Sequence, residues 1–225
     1  MSEAATSYLT GGRTQGPSLA EQAYDAVERM IVTLDLAPGS VFTEAELAES
    51  IGIGRTPLRE ALQRLAAAHL VQALPRRGML VSEINASEYL NLLDTRGVLD
   101  RLIAVQAARR ADPNARTALR ACAAGFGEVA ETRDESGFLM IDRHGDALLE
   151  SASHNPYASQ AVSPLHAHCR RFWTVHRPHE DLGESAVLHA QIMLEVANGN
   201  ENGAGQACDA LIAYLESFAR RALDL

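Results

Sequence analysis

Five arginines and one acid, Glu60, lie between residues 55 and 82 of a chain whose formal net charge is −9. That local excess of cations is what could meet a phosphate backbone, whatever the total charge. A guanidinium is the commonest reader of guanine O6 and N7, because its fork matches both acceptors. Arg55 and Arg59 stand one helical turn apart. Arg76 and Arg77 lie in Pro75-Arg76-Arg77-Gly78, a turn sequence. A doubly basic turn tip suits a minor groove or a pair of phosphates, and a glycine lets the backbone approach closely. His166, His168 and Cys169 are metal-ligand types, but positions two apart on a helix point in different directions, so they are not expected to converge. The chain has no G-x-S-x-G, P-loop, H-E-x-x-H or dinucleotide fingerprint. The chemistry on offer is recognition.

The elements needed to position the arginines can be read around them. Ala23, Tyr24, Val27, Met30, Ile31 and Leu34 recur at helical spacing and predict a first helix over about 19–34. Pro38-Gly39 ends it. Thr43 with Glu46 three residues on is a capping box for a short second helix, Glu44 to Ile51. Gly52 and Gly54 give a tight turn. Thr56 is read as the cap of a third helix, with Pro57 at its first position and Leu58, Leu62 and Leu65 on its inner face. Val71–Leu74 and Met79–Ser82 are strand-like runs around the basic turn. Three helices and a basic hairpin make a winged helix-turn-helix over 19–84, with Arg55 and Arg59 at the leading end of the reading helix. The helix N-terminus adds a phosphate site there.

From Asn85 onward the pattern is helical almost throughout. Expected helices cover 86–111, 114–132, 134–153, 156–176, 184–198 and 203–223, broken at Asp112-Pro113, Asn155-Pro156, Arg177-Pro178 and Asn198-Gly199-Asn200. Pro164 is expected to kink the fourth. The fold class is therefore mainly α. A flexible arm, 1–18, precedes the DNA-binding domain, 19–84, and a helical bundle, 85–225, can enclose a ligand between its helices. The N-terminus does not read as a secretory signal, and no run of eighteen apolar residues could span a membrane. The three cysteines, Cys122, Cys169 and Cys208, are odd in number and widely spaced, which suits buried thiols in a reducing cytoplasm. All twenty basic residues are arginine.

The run GRTPLREALQRL, followed by an apolar stretch and PRRG, closely resembles the DNA-binding domain of GntR-type regulators. The resemblance implies an operator-binding protein that acts as a dimer on double-stranded DNA. It implies that Arg55, Thr56, Arg59, Arg77 and Gly78 hold DNA-contacting positions, with Arg76 beside them on the wing. Ala45 stands where some relatives carry a further DNA-contacting arginine.

Residues 86–225 resemble the FCD domain of the FadR-like branch, best at Asp142-Arg143-His144-Gly145-Asp146-Ala147-Leu148-Leu149. Many relatives bind a metal through an Asp at the position of Asp142, a His four residues later and two more His on the last two helices. Here those positions hold Asp146, His189 and Tyr214, so two of four typical ligands are replaced. Asp142, Asp146 and His189 could bind a divalent cation of the harder kind; otherwise they and Tyr214 line a metal-free polar pocket. Arg96 resembles a pocket arginine of relatives. Its partner is either Asp100, four residues on, or the carboxylate of a small organic-acid effector. Arg170 and Arg171 read more simply as surface residues, and Trp173 as core. The expected function is effector-responsive transcription regulation, most simply repression. A helical metal-dependent hydrolase around Asp142, Asp146 and His189 is the alternative, and a sequence-independent architectural DNA binder a third reading.

Overall fold

A computed structural model describes residues 16–179 and 181–224. It divides into two compact units, each with its own core. One comprises 16–31 with Gly39–Ser82, and the other Val32–Pro38 with the residues from Glu83 on.

The first unit holds α1 (Leu19–Val32), β1 (Val41–Phe42), α2 (Glu44–Ile51), α3 (Arg55–Ala67), β2 (Val71–Leu74) and β3 (Gly78–Val81). Ala23, Val27 and Ile31 of α1 are fully buried, as are Leu58, Ala61 and Leu65 of α3, so each helix buries one stripe. The Thr43–Glu46 capping box forms as expected. Two expectations need correction. The first helix stops at Val32, because Leu34 takes a left-handed φ of 68°. The third begins at Arg55, one residue before the expected cap: extended Gly54 is the N-cap and has no side chain to donate or accept. Thr56 therefore lies inside the first turn.

The wing has one strand more than expected. Two-residue β1 pairs antiparallel with β3, Val41 opposite Leu80 and Phe42 opposite Met79, giving the strand order β1-β3-β2. Gly78 is fixed by that strand. Its φ is +104°, and a Cβ there would lie 2.3 Å from the Phe42 carbonyl oxygen. Gly78→Ala is therefore expected to destabilise this unit by about 1–3 kcal/mol from backbone strain alone. Thermal melting of the variant checks this, and an unchanged midpoint would show that the wing relaxes freely.

The second unit is all helical: α4 (Ala86–Arg110), α5 (Pro113–Thr132), α6 (Glu135–Ser153), α7 (Pro156–His176), α8 (Leu182–Asn198) and α9 (Glu201–Ala222), with a 3-10 turn at Arg177–His179. The six expected helices are all present. Asp112, Asp134, Asn155, Asp181 and Asn200 cap α5 to α9 through their side chains, and α8 and α9 each begin two residues before the expected 184 and 203. Helix α7 runs on through Pro164. One apolar core includes Leu93, Phe126, Phe138, Phe172, Met193 and Phe218. No described helix is long and apolar enough to cross a membrane.

Candidate DNA-reading head and charged helical core

Arg55, at the first position of α3, and Thr56 are exposed. Arg59 follows one turn later with its side chain 65% exposed. It is not loose. Glu44, in the first turn of α2, accepts from its Nη2 at 2.7 Å and from its Nε at 3.2 Å. That clasp holds the Glu44 carboxyl below its usual range and fixes the direction of the guanidinium. Sequence reading missed Glu44, which lies fifteen residues from Arg59, across the turn. Arg64, at the far end of α3, stacks over the Tyr24 ring at 4.4 Å and packs the helix onto α1. Arg76 and Arg77 are exposed at the wing tip, where the Arg77 amide donates to the Leu74 carbonyl at 3.0 Å and Arg76 adopts a φ of 63°.

The helical unit carries its charges inside. Arg96 on α4 donates through Nε to Asp100 Oδ2 at 2.8 Å, so the simpler of its two expected partners is present. Asp100 Oδ1 lies 2.8 Å from His166 Nε2 on α7. His166 Nδ1 is 3.1 Å from Asp146 Oδ2 on α6, as an ion-pair contact without hydrogen-bond alignment. Arg170, one turn beyond His166, donates through Nη1 to Asp146 Oδ2 at 2.6 Å and to Asp142 Oδ2 at 3.1 Å. Asp142 Oδ1 lies 3.0 Å from His189 Nε2 on α8, and His189 Nδ1 is 2.7 Å from the Ser185 carbonyl oxygen. Cation and anion alternate along the whole chain, from Arg96 to His189.

Burial and pairing pull against each other at every link. Burial raises the Asp100 carboxyl, but Arg96 and His166 outweigh it and hold the group at about 2. Burial disfavours a charged His166, but Asp146 and Asp100 raise it to about 10. Burial likewise opposes ionisation of Asp142, yet His189 and Arg170 keep it well below the usual range. Asp146 goes the other way, raised by burial and by its neighbour Asp142 against the pull of His166 and Arg170. His189 is raised by Asp142, against its burial. Phe126 stacks on its ring at 5.3 Å and Phe138 meets it edge-on at 5.5 Å. Gly145 sits where α6 comes close: a Cβ there would lie 2.7 Å from the end of Met193 on α8.

Several expected placements change. Arg170 and Arg171, read as surface residues, are 8% and 0% exposed. His166, set aside with its neighbours, stands at the centre of the chain and is 4% exposed. His166, His168 and Cys169 still form no common site; His166 acts with residues of other helices instead. A signal was available, because Val162, His166, Arg170 and Trp173 follow a core spacing along α7. Tyr214 is buried on α9, but its hydroxyl donates to the Asp181 carbonyl at 3.0 Å and it lines neither cavity described next.

Two small cavities flank the charged chain, each about 20 Å³, room for about one water. Arg96, Asp146, His166 and His189 line both; Asp142, Arg170, Trp173 and Ser185 line the first. The side chains present do not fit a divalent cation. Among the described residues no group of three or more His, Cys, Asp or Glu is arranged to hold one. The face shared by Asp142 and Asp146 is spanned by the Arg170 guanidinium.

Residues 19–81 match the family described as bacterial regulatory proteins, gntR family, and residues 91–214 match the FCD domain. An uncharacterized HTH-type transcriptional regulator from an unstable DNA locus of Streptomyces ambofaciens is 42% identical over 73 residues, 32% of this chain but only 31% of that protein. The uncharacterized HTH-type regulator YdhC of Bacillus subtilis is 26% identical over 197 residues, 82% of this chain and 84% of that one. The HTH-type transcriptional repressor RspR of Escherichia coli is 33% identical over 88 residues, 39% of either chain. Among solved structures, E. coli McbR/YncC superposes with a TM-score of 0.78 over 91% of this chain and 98% of that one, at 17% identity, a likeness of fold alone.

Proposed function

The chain belongs to the gntR family of bacterial regulatory proteins, carries an FCD domain and is a transcription regulator; on that premise we propose a homodimeric repressor that a small organic acid releases from a palindromic operator. Arg55, Thr56 and Arg59 read base edges in the major groove, and Arg76 and Arg77 hold phosphates or the minor groove. Gly78 shapes the wing that carries them. A two-fold dimer matches inverted half-sites. Such a protein works in the cytoplasm, where the chromosome is.

The observation that carries the effector reading is a pair of buried donors. Trp173 Nε1 and Ser185 Oγ have no hydrogen-bond partner among the described residues. Both line the cavity that also holds Arg96, Arg170, Asp142 and His189. Leaving a buried donor unmade costs roughly 1–3 kcal/mol, which an acceptor-rich ligand recovers. A carboxylate fits two donors beside two guanidiniums. The space allows one water, so an acid enters only as the helices part. It then favours a second arrangement of the helical unit, and that difference in affinity is what can shift the operator equilibrium. The hydrolase alternative needs a carboxylate free to act as base, whereas Asp142 and Asp146 are both held by Arg170.

Footprinting the full-length protein on genomic fragments tests the first half, with protection of an inverted repeat expected. Operator affinity is then measured with a panel of small mono- and dicarboxylates. One or more should weaken binding, and Ser185→Ala with Trp173→Phe should raise the acid concentration required about 10- to 100-fold, the loss of roughly 1.5–3 kcal/mol of charged hydrogen bonding. Equal affinity for random duplex would overturn the operator reading. A variant with the wild-type acid response would move the effector elsewhere.

A further inference from the structure

Asp142 on α6 meets His189 on α8, and Asp146 follows Asp142 by one turn; the resemblance to the FCD domain gives these three positions to ligands of a divalent cation. His189 is even oriented for it. Its Nδ1 faces the Ser185 carbonyl at 2.7 Å, which turns Nε2 inward toward Asp142, and such an outer hydrogen bond is how metal-ligating imidazoles are aimed. What meets the carboxylates is Arg170. One nitrogen, Nη1, lies 2.6 Å from Asp146 Oδ2 and 3.1 Å from Asp142 Oδ2, so it bridges the two anions as a cation would.

We infer that the Arg170 guanidinium takes the place of a divalent metal ion between Asp142, Asp146 and His189, so that the helical unit holds its own fixed cation. Three features support this beyond the distances. Arg170 is 8% exposed, and a buried guanidinium stays only where anions compensate it. Three of the four carboxylate oxygens that could ligate a metal are already engaged: Asp142 Oδ1 by His189, Asp142 Oδ2 by Arg170, and Asp146 Oδ2 by Arg170 and His166. The residue one turn after Asp142 is itself an acid, Asp146, where an imidazole would supply a neutral ligand.

The inference concerns the pocket proposed for the effector but does not require one, because its readouts are metal content and melting of the protein alone. Purified full-length protein should carry no stoichiometric divalent metal, and neither EDTA nor added Zn²⁺ or Mn²⁺ should move its melting midpoint. Arg170→Ala should melt lower and gain a one-to-one site for Zn²⁺ or Mn²⁺ by calorimetry. Its midpoint should rise by about 5–10 °C with metal at about 100 times Kd, and further substitution of Asp142→Ala should abolish the rise. Arg170→Lys, which keeps a cation, should melt near the wild type and ignore metal. Stoichiometric metal in the wild type, or a midpoint that EDTA lowers, would overturn the inference even if Arg170→Ala failed to fold. A folded Arg170→Ala that takes up no metal would overturn it too. Failure of every organic acid to release DNA would leave these results untouched, and a failed metal arm would leave the effector reading standing.

Discussion

Arg59→Ala is expected to weaken specific operator binding by roughly 1–3 kcal/mol at each half-site, the worth of one bidentate base contact. In a two-fold complex the loss is taken twice, so affinity should fall by roughly 2–6 kcal/mol, about one and a half to four orders of magnitude. Non-specific binding should change far less, because that is set mainly by phosphate contacts. Glu44→Gln is the companion. Glu44 accepts three hydrogen bonds from Arg59, so the variant should loosen the guanidinium, and it removes a negative charge beside it. Its non-specific affinity should rise while its preference for operator over random duplex shrinks. Titration of both duplexes at several salt concentrations separates the two effects. An Arg59→Ala protein with the wild-type specificity ratio would show that α3 does not read bases through this residue.

The second large effect belongs to the helical unit. Asp100 pairs with Arg96 and also meets His166, each at 2.8 Å; the Arg96 and His166 side chains are 6% and 5% exposed. Asp100→Ala is expected to cost about 3–5 kcal/mol, because it strands buried cations rather than removing a pair. That is a large share of the 5–15 kcal/mol that stabilises a typical domain. Urea unfolding should show the loss in the transition of the helical unit, with the DNA-binding unit little changed. Arg96→Met with Asp100→Leu should be less destabilised than Asp100→Ala, since apolar groups of similar size leave no lone charge. A double variant as unstable as Asp100→Ala would mean that His166 carries most of the cost.

The same network is expected to give the wild type two pH limits, which urea midpoints measured across pH would reveal. Asp100 is held at about 2 against an ordinary 3.8. Its contribution is complete above the ordinary value and is lost as pH falls toward 2. His166 is raised to about 10 from 6.5. Its contribution is complete below 6.5 and is lost as pH climbs toward 10.

Much of this protein is written locally in its sequence. The Thr43–Glu46 capping box and the Asp-Pro and Asn-Pro breaks act within a few residues, so spacing alone reveals them. The apolar stripes of α1 and α3 are equally legible, because burial on one face imposes the 3.6-residue period. Those signals placed Arg55 and Arg59 at the start of α3, and Arg76 and Arg77 on the wing. Tertiary structure alone decided the partners. Strand β1 has two residues and exists only because β3 offers it an edge. Arg59 reaches Glu44 across fifteen positions, Arg170 reaches Asp146 across 24, and His166 reaches Asp100 across 66. An arginine on a solvated face and an arginine bridging two buried carboxylates look alike in a sequence. The difference lies in the desolvation that burial imposes and in the opposite charges that other helices bring to meet it, and neither exists until those helices have packed.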